Sequence, residues 1–208
     1  MSFFFHEQLA RSPEIMARIA AQRVTVCGAG VLGANITESL ARMGFRQLAV
    51  IDRDRVEERN LSTQPYFRAD IGAKKAKMLA NSLYRAIGAQ VAAQAVELTP
   101  QNAAKLLSGL VIDTFDNSVG RQAVKDACLA AGLACVHVGM ATDYAEVIWN
   151  ERYRVPSAAQ DDICDYPLAR NLVMMAVSLA CEVVTRFVAN GEKRDYSLTF
   201  SDFAVREL

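Results

Sequence analysis

Gly28-Ala29-Gly30-Val31-Leu32-Gly33 constrains this chain more than any other run of residues. The residues before it, Arg23-Val24-Thr25-Val26-Cys27, are short and β-branched, as a buried strand requires. Residues 31–43 then place Leu32, Ile36 and Leu40 on one helical face and reach Gly44, a suitable C-terminal cap. A strand that turns through glycines straight into a helix gathers free backbone N–H groups and the positive end of the helix dipole. Glycine lets that backbone turn tightly and approach a phosphate closely. A second strand over 48–51 ends at Asp52, where a carboxylate can accept hydrogen bonds from ribose hydroxyls. Together these features predict an adenosine-nucleotide site in the first unit of a doubly wound sheet. They do not choose the nucleotide, and taken alone they favour an NAD-linked oxidoreductase.

The alternation continues. Residues 73–87 read as a helix stopped by Gly88, and 91–96 as a strand. Thr99-Pro100 supplies an N-cap and a first-turn proline for a helix reaching Leu107. Residues 110–112 form a buried strand, 123–131 a helix ended by Gly132, and 134–138 a fifth strand. Residues 145–149 alternate in the manner of an antiparallel strand. A polar stretch over 150–167 precedes a long helix at 168–190, and 196–200 is a candidate last strand. The apolar run 172–188 contains Glu182 and Arg186, which marks a core helix and not a membrane span. With no repeat, low-complexity tract or linker, one domain over residues 1–208 is expected. Its fold class is α/β: a Rossmann-like, mostly parallel sheet with helices on both faces and a C-terminal antiparallel extension.

Lys+Arg 23 equals Asp+Glu 23, so no basic surface for nucleic acid or membrane is expected, and self-association meets no charge barrier. The opening MSFFFHEQLARSPE lacks the basic start and apolar core of a secretory signal. Cys27, Cys128, Cys135, Cys164 and Cys181 are scattered with no CxxC pair, which argues against a disulfide framework and a four-cysteine zinc site. A cytoplasmic location follows as an expectation.

The residues after Asp52 narrow the choice. Asp52-Arg53-Asp54-Arg55-Val56-Glu57-Glu58-Arg59-Asn60-Leu61 leads to Gln64, then to Asp70-Ile71-Gly72-Ala73-Lys74-Lys75-Ala76. Ile112-Asp113-Thr114-Phe115-Asp116-Asn117 follows, with Arg121 one turn further. The series resembles the ThiF/MoeB/HesA and ubiquitin-activating superfamily, whose motifs read D-x-D-x-V-E-x-x-N-L, G-x-x-K-A and D-x-x-D-N-x-x-x-R. The match keeps order and near-family spacing over roughly residues 23–137. This pattern speaks against the oxidoreductase.

The resemblance implies an ATP- and Mg2+-dependent adenylyltransferase acting on the C-terminal carboxylate of a ubiquitin-like or sulfur-carrier protein ending in Gly-Gly. It gives the phosphates to the turn formed by Gly28, Ala29, Gly30, Leu32 and Gly33, and the ribose to Asp52. Asn60 and Lys75 would touch the phosphates and Asp116 would hold magnesium, with Asp54, Gln64 and Asn117 completing the nucleotide set. That chemistry requires a cation, a metal and oriented donors, but no general base, because the attacking carboxylate is already ionised. A homodimer or heterodimer is implied too. No structural zinc is expected, because the two CxxC pairs that many relatives carry are absent here.

Two positions depart from the family or stand open. The family places a phosphate-binding arginine where this chain has Thr63. Arg59 or Arg68, or a partner's Arg11 or Arg18, are the substitutes the sequence offers, and a non-catalytic partner subunit is the alternative. Cys164 falls where relatives carry a cysteine that forms a covalent adduct with the carrier. Its neighbours Asp161, Asp162 and Asp165 disfavour a thiolate, and a half-buried loop residue is the plainer reading. Plainer readings exist elsewhere: Lys74, Lys75 and Lys77 as a wet helix face, Asp116 as a helix N-cap, His137 as a satisfied core residue. Phe3-Phe4-Phe5 reads as a mobile tail or as an apolar anchor on another subunit.

Overall fold

The computed structural model of the chain describes residues 2–157 and 169–208. Among these residues the spine is one sheet of eight strands. They are β1 (Arg23–Cys27), β2 (Gln47–Ile51), β3 (Val91–Gln94), β4 (Leu110–Asp113), β5 (Cys135–Ala141), β6 (Tyr144–Trp149), β7 (Tyr196–Thr199) and β8 (Ala204–Glu207). The spatial order is β3-β2-β1-β4-β5-β6-β7-β8. Strands β1 to β5 pair in parallel, while β6, β7 and β8 add on antiparallel. The chain builds outward from β1 to β3, then returns to lay β4 on the other side of β1. At such a reversal the loops leaving neighbouring strands part, and a crevice opens beyond their carboxyl ends.

The helices are α1 (Phe5–Ala10), α2 (Pro13–Ala21), α3 (Val31–Met43), α4 (Lys75–Ile87), α5 (Ala103–Leu106), α6 (Ser118–Ala131) and α7 (Arg170–Asn190). Alternate strand side chains point to opposite faces. Val24, Val26, Val50, Ile112 and Val136 join the core shared with α2, α3, α4 and α7, whereas Cys27, Ile51, Val111 and Cys135 join the one under α5 and α6. The long apolar α7 buries Leu172, Val173, Ala176, Val177, Ala180 and Val184 against α3, α2, β5 and β6.

Four regions differ from the sequence reading. The lead-in is helical: Ser12 caps α2 by accepting from Ile15 N–H, Pro13 fills its first turn, and Ile19 is fully buried. The helix expected from Thr99-Pro100 is reduced to α5, because Asn102 Oδ1 takes the Thr99 N–H at 2.8 Å and closes a separate turn ahead of it. Helix α6 begins at Ser118 and not at 123, because Asn117 Oδ1 accepts from Gly120 N–H at 2.7 Å. The sequence reading also passed over β8.

Candidate nucleotide site

A cavity of about 410 Å³ opens where β1, β2 and β4 end, lined by Gly28, Gly30, Asp52, Lys75, Thr114 and Asp116 among others. Its floor is the glycine turn. Gly28 has φ +101°, and a Cβ there would lie 2.7 Å from Thr114 Oγ1. A Cβ on Gly33 would stand 2.0 Å from the Gly28 carbonyl oxygen. A Cβ on Gly30 would meet nothing within 4 Å. Gly28 and Gly33 thus serve the turn's own packing, while Gly30 leaves open the space beside the first turn of α3.

The turn is pinned from three sides. Asp52 Oδ2 accepts from Ala29 N–H at 2.7 Å, Tyr66 donates its hydroxyl to Ala29 O at 2.7 Å, and Thr114 donates to Cys27 O at 2.7 Å. Asp52 Oδ1 accepts from Asp54 N–H at 2.6 Å. Burial raises the Asp52 carboxyl above the usual carboxylate range, against the pull of those two N–H groups and of Lys75. Each of its oxygens keeps lone-pair capacity for a further donor such as a ribose hydroxyl.

Lys75 opens α4 and lines the cavity with 11% of its side chain exposed, its Nζ 3.9 Å from Asp54 Oδ2. Lys74 points elsewhere, to the carbonyl of Arg53. The wet-face reading therefore fits Lys74 and not Lys75. Across the cavity, Asp116 is exposed and, among the described residues, accepts only a long 3.5 Å hydrogen bond from Asn117 Nδ2. Asn117 caps α6, so the capping role considered for Asp116 belongs to its neighbour.

The structure brings Gly28, Gly30, Asp52, Asp54, Lys75, Asp116 and Asn117 into the lining of one cavity. Ala29, Leu32 and Gly33 of the same turn are buried and outside the cavity lining. Asn60 and Gln64 lie outside the cavity wall, in and just after the 3-10 turn Glu58–Ser62. Asn60 Oδ1 accepts from Glu57 N–H at 2.9 Å, and Gln64 Oε1 is buried without a partner among the described residues. Tyr66 and Thr114 hold the turn, yet nothing in their spacing announced it. Cys164 lies outside the described residues. Cys27, Cys128, Cys135 and Cys181 are buried and free, and burial pushes the Cys181 thiol up to about 12.

A buried polar cluster braces the loop that carries Asp116. Asp113 Oδ1 accepts from Phe115 N–H, and Oδ2 lies 2.7 Å from His137 Nδ1. His137 Nε2 lies 2.7 Å from Asn150 Oδ1, whose Nδ2 donates to Lys125 O, so Nε2–H is the donor there. The ring stacks on Tyr153 at 3.8 Å, and Tyr153 accepts from Arg121 Nη1 at 2.6 Å. His137 is thus a fully partnered core residue. A larger groove of about 820 Å³ runs along the outer face of α6, but its wall is mostly alanine, valine and proline and carries little chemistry.

A glycine turn, an acid at the end of the next strand, and a lysine facing a second acid across the crevice make up the kind of crevice in which open α/β sheets hold ligands. The ThiF family model matches residues 5–191, and the chain belongs to the ThiF family. It is similar to the SAMP-activating enzyme E1 of Haloferax volcanii, 35% identical over 60% of this chain and 48% of that one. The sulfur carrier protein adenylyltransferase of Thermus thermophilus is 35% identical over 62% of this chain and 50% of its own. The chain thus spans about half the length of these relatives. In fold it resembles E. coli MccB solved with succinimide, at TM-score 0.86 and 16% identity, over 100% of this chain and 70% of that one.

Proposed function

We propose that the chain adenylates the C-terminal carboxylate of a small ubiquitin-fold or sulfur-carrier protein, using ATP with magnesium. The observation that carries this reading is the placing of Lys75 and Asp116 on opposite sides of the opening above Gly30. The carrier's ionised carboxylate oxygen attacks the α-phosphorus. The bond from that phosphorus to the β-bridging oxygen breaks, and pyrophosphate leaves with its electron pair. The Lys75 ammonium offsets charge as it builds on the phosphate oxygens, and the first N–H groups of α3 hold them in place. Asp52 orients the ribose. Asp116 suits a magnesium ion, which typically takes one or two carboxylates with the rest of its shell from phosphates and water. Magnesium bound there would neutralise phosphate charge. Two of the most similar relatives are named for activating or adenylating such carriers, which supports the reading.

The test is magnesium-dependent exchange of labelled pyrophosphate into ATP, with Gly-Gly-ended carriers. Exchange should require a carrier and fall by roughly a hundredfold or more in Lys75→Ala and in Asp116→Ala. Preference for NAD over ATP would sink the proposal. Thr63, buried and lacking charge, favours a second reading in which this chain docks nucleotide and carrier while another subunit completes catalysis. ATP binding without exchange for any carrier would favour it.

A further inference from the structure

We propose that Arg170, at the start of α7, grips the β- and γ-phosphates of the bound nucleotide, a role that rests on the ATP reading above. Among the cavity-lining residues the cations are Lys75 and Arg53. Arg53 is already committed, its guanidinium 2.5 Å from Glu97 and 3.7 Å from Asp54, two carboxylates of the same lining. Even with magnesium bound, a triphosphate and its departing pyrophosphate carry more charge than the single ammonium of Lys75 offsets, which leaves room for a further cation. The candidates named from sequence are engaged elsewhere. Arg68 pairs with Glu58 at 3.1 Å, Arg59 with Glu57 at 2.6 Å, Arg11 with Glu7 and Glu182, and Arg18 donates to Ala189 O.

Arg170 differs from all of these. It is exposed, and among the described residues its guanidinium meets no carboxylate; Nη1 donates to the carbonyl of Ser62 at 3.1 Å. The next carbonyl, that of Thr63, accepts from Asn35 Nδ2 at 2.8 Å, and the same nitrogen reaches Val31 O at 2.7 Å in the first turn of α3. Arg170 is therefore joined through Ser62 and Thr63 to the helix that begins at the glycine turn. The helix pairing fixes its level. Cys181 of α7 hydrogen-bonds Ser39 of α3, and since 170 lies toward 35 as 181 lies toward 39, the two helices run parallel. From that contact Val31 is about 12 Å back along α3, and Arg170 about 16 Å back along α7. Arg170 thus stands slightly beyond the start of α3, level with the glycine turn. From there a flexible, planar fork of donors can swing from a backbone carbonyl to phosphate oxygens.

Titration calorimetry on the full chain tests this with Mg-ATP and with AMP, which has only the α-phosphate. In Arg170→Gln the ATP affinity should fall about tenfold or more while AMP affinity stays at the wild-type value, and Arg170→Lys should keep part of the ATP affinity. Thermal melting of each variant checks the fold independently. Unchanged ATP affinity in Arg170→Gln overturns the proposal. Equal losses for ATP and AMP also overturn it, because they mark a structural role. A wild-type chain that binds no ATP overturns the proposed function itself, and this inference with it.

Discussion

Gly30 and Gly33 sit one helical turn apart and answer to different demands. At Gly33 a methyl group would collide with the carbonyl of Gly28, and neither backbone has room to yield. Gly33→Ala should destabilise the fold by at least about 1–3 kcal/mol, read as a lower urea midpoint. Gly30 has an ordinary negative φ of −81° and empty space where its Cβ would go. Gly30→Ala should therefore stay within about 0.5 kcal/mol of wild-type stability yet bind ATP more weakly. A Gly30→Ala variant with normal affinity would mean that no phosphate comes near that position. The sequence motif names both glycines without telling them apart, since the difference lies in what stands opposite each one. The same holds for Lys74 and Lys75. Spacing from Gly72 picked the second lysine, but only the start of α4 turns it inward. Tyr66 was illegible, because its one bond to the turn joins residues far apart in sequence.

At the scale of elements, the Asp116 loop is held by neighbouring strands and not by its own residues. Asp113 ends β4, His137 lies beside it on β5, and Asn150 follows β6. His137→Leu would leave the Asp113 carboxylate fully buried without its partner. The expected cost is about 3–5 kcal/mol, measured by urea unfolding. A loss below about 1 kcal/mol would show that the cluster is not structural. The parallel core was readable from sequence because each strand, turn and helix of it is written in consecutive residues. Helix α2 also had a local signature in Ser12-Pro13-Glu14, overlooked among polar neighbours. Strand β8 had no such signature: its side chains are half-buried or exposed, and pairing with β7 alone defines it.

For the whole molecule, the cavity walls come from both halves of the parallel sheet: β1, β2 and α4 on one side, β4 and α6 on the other. A ligand that bridges them adds its binding energy to the global fold. With Mg-ATP at a hundred times its dissociation constant, the gain is about 2.7 kcal/mol. For a chain of this size the melting temperature should rise by roughly 5–10 °C, and Lys75→Ala should reduce the rise. A shift of equal size with NAD would contradict the adenylate reading. This bridging was legible only in outline: the order of motifs placed their residues at strand ends, but not which ones meet across the gap.

Gly30, Lys75 and Asn117 each stand at the beginning of a helix, and all three line the same opening. With 23 basic and 23 acidic residues, the chain has no overall charge with which to attract anything from a distance. At this rim, however, charges of both signs are crowded together: three helix dipoles point their positive ends at it beside Lys75 and Arg53, and Asp52, Asp54, Glu97 and Asp116 stand among them. A bare anion would find as much repulsion as welcome there, whereas a ligand that brings its own cation along with its phosphates would meet an opposite charge at every step across the opening.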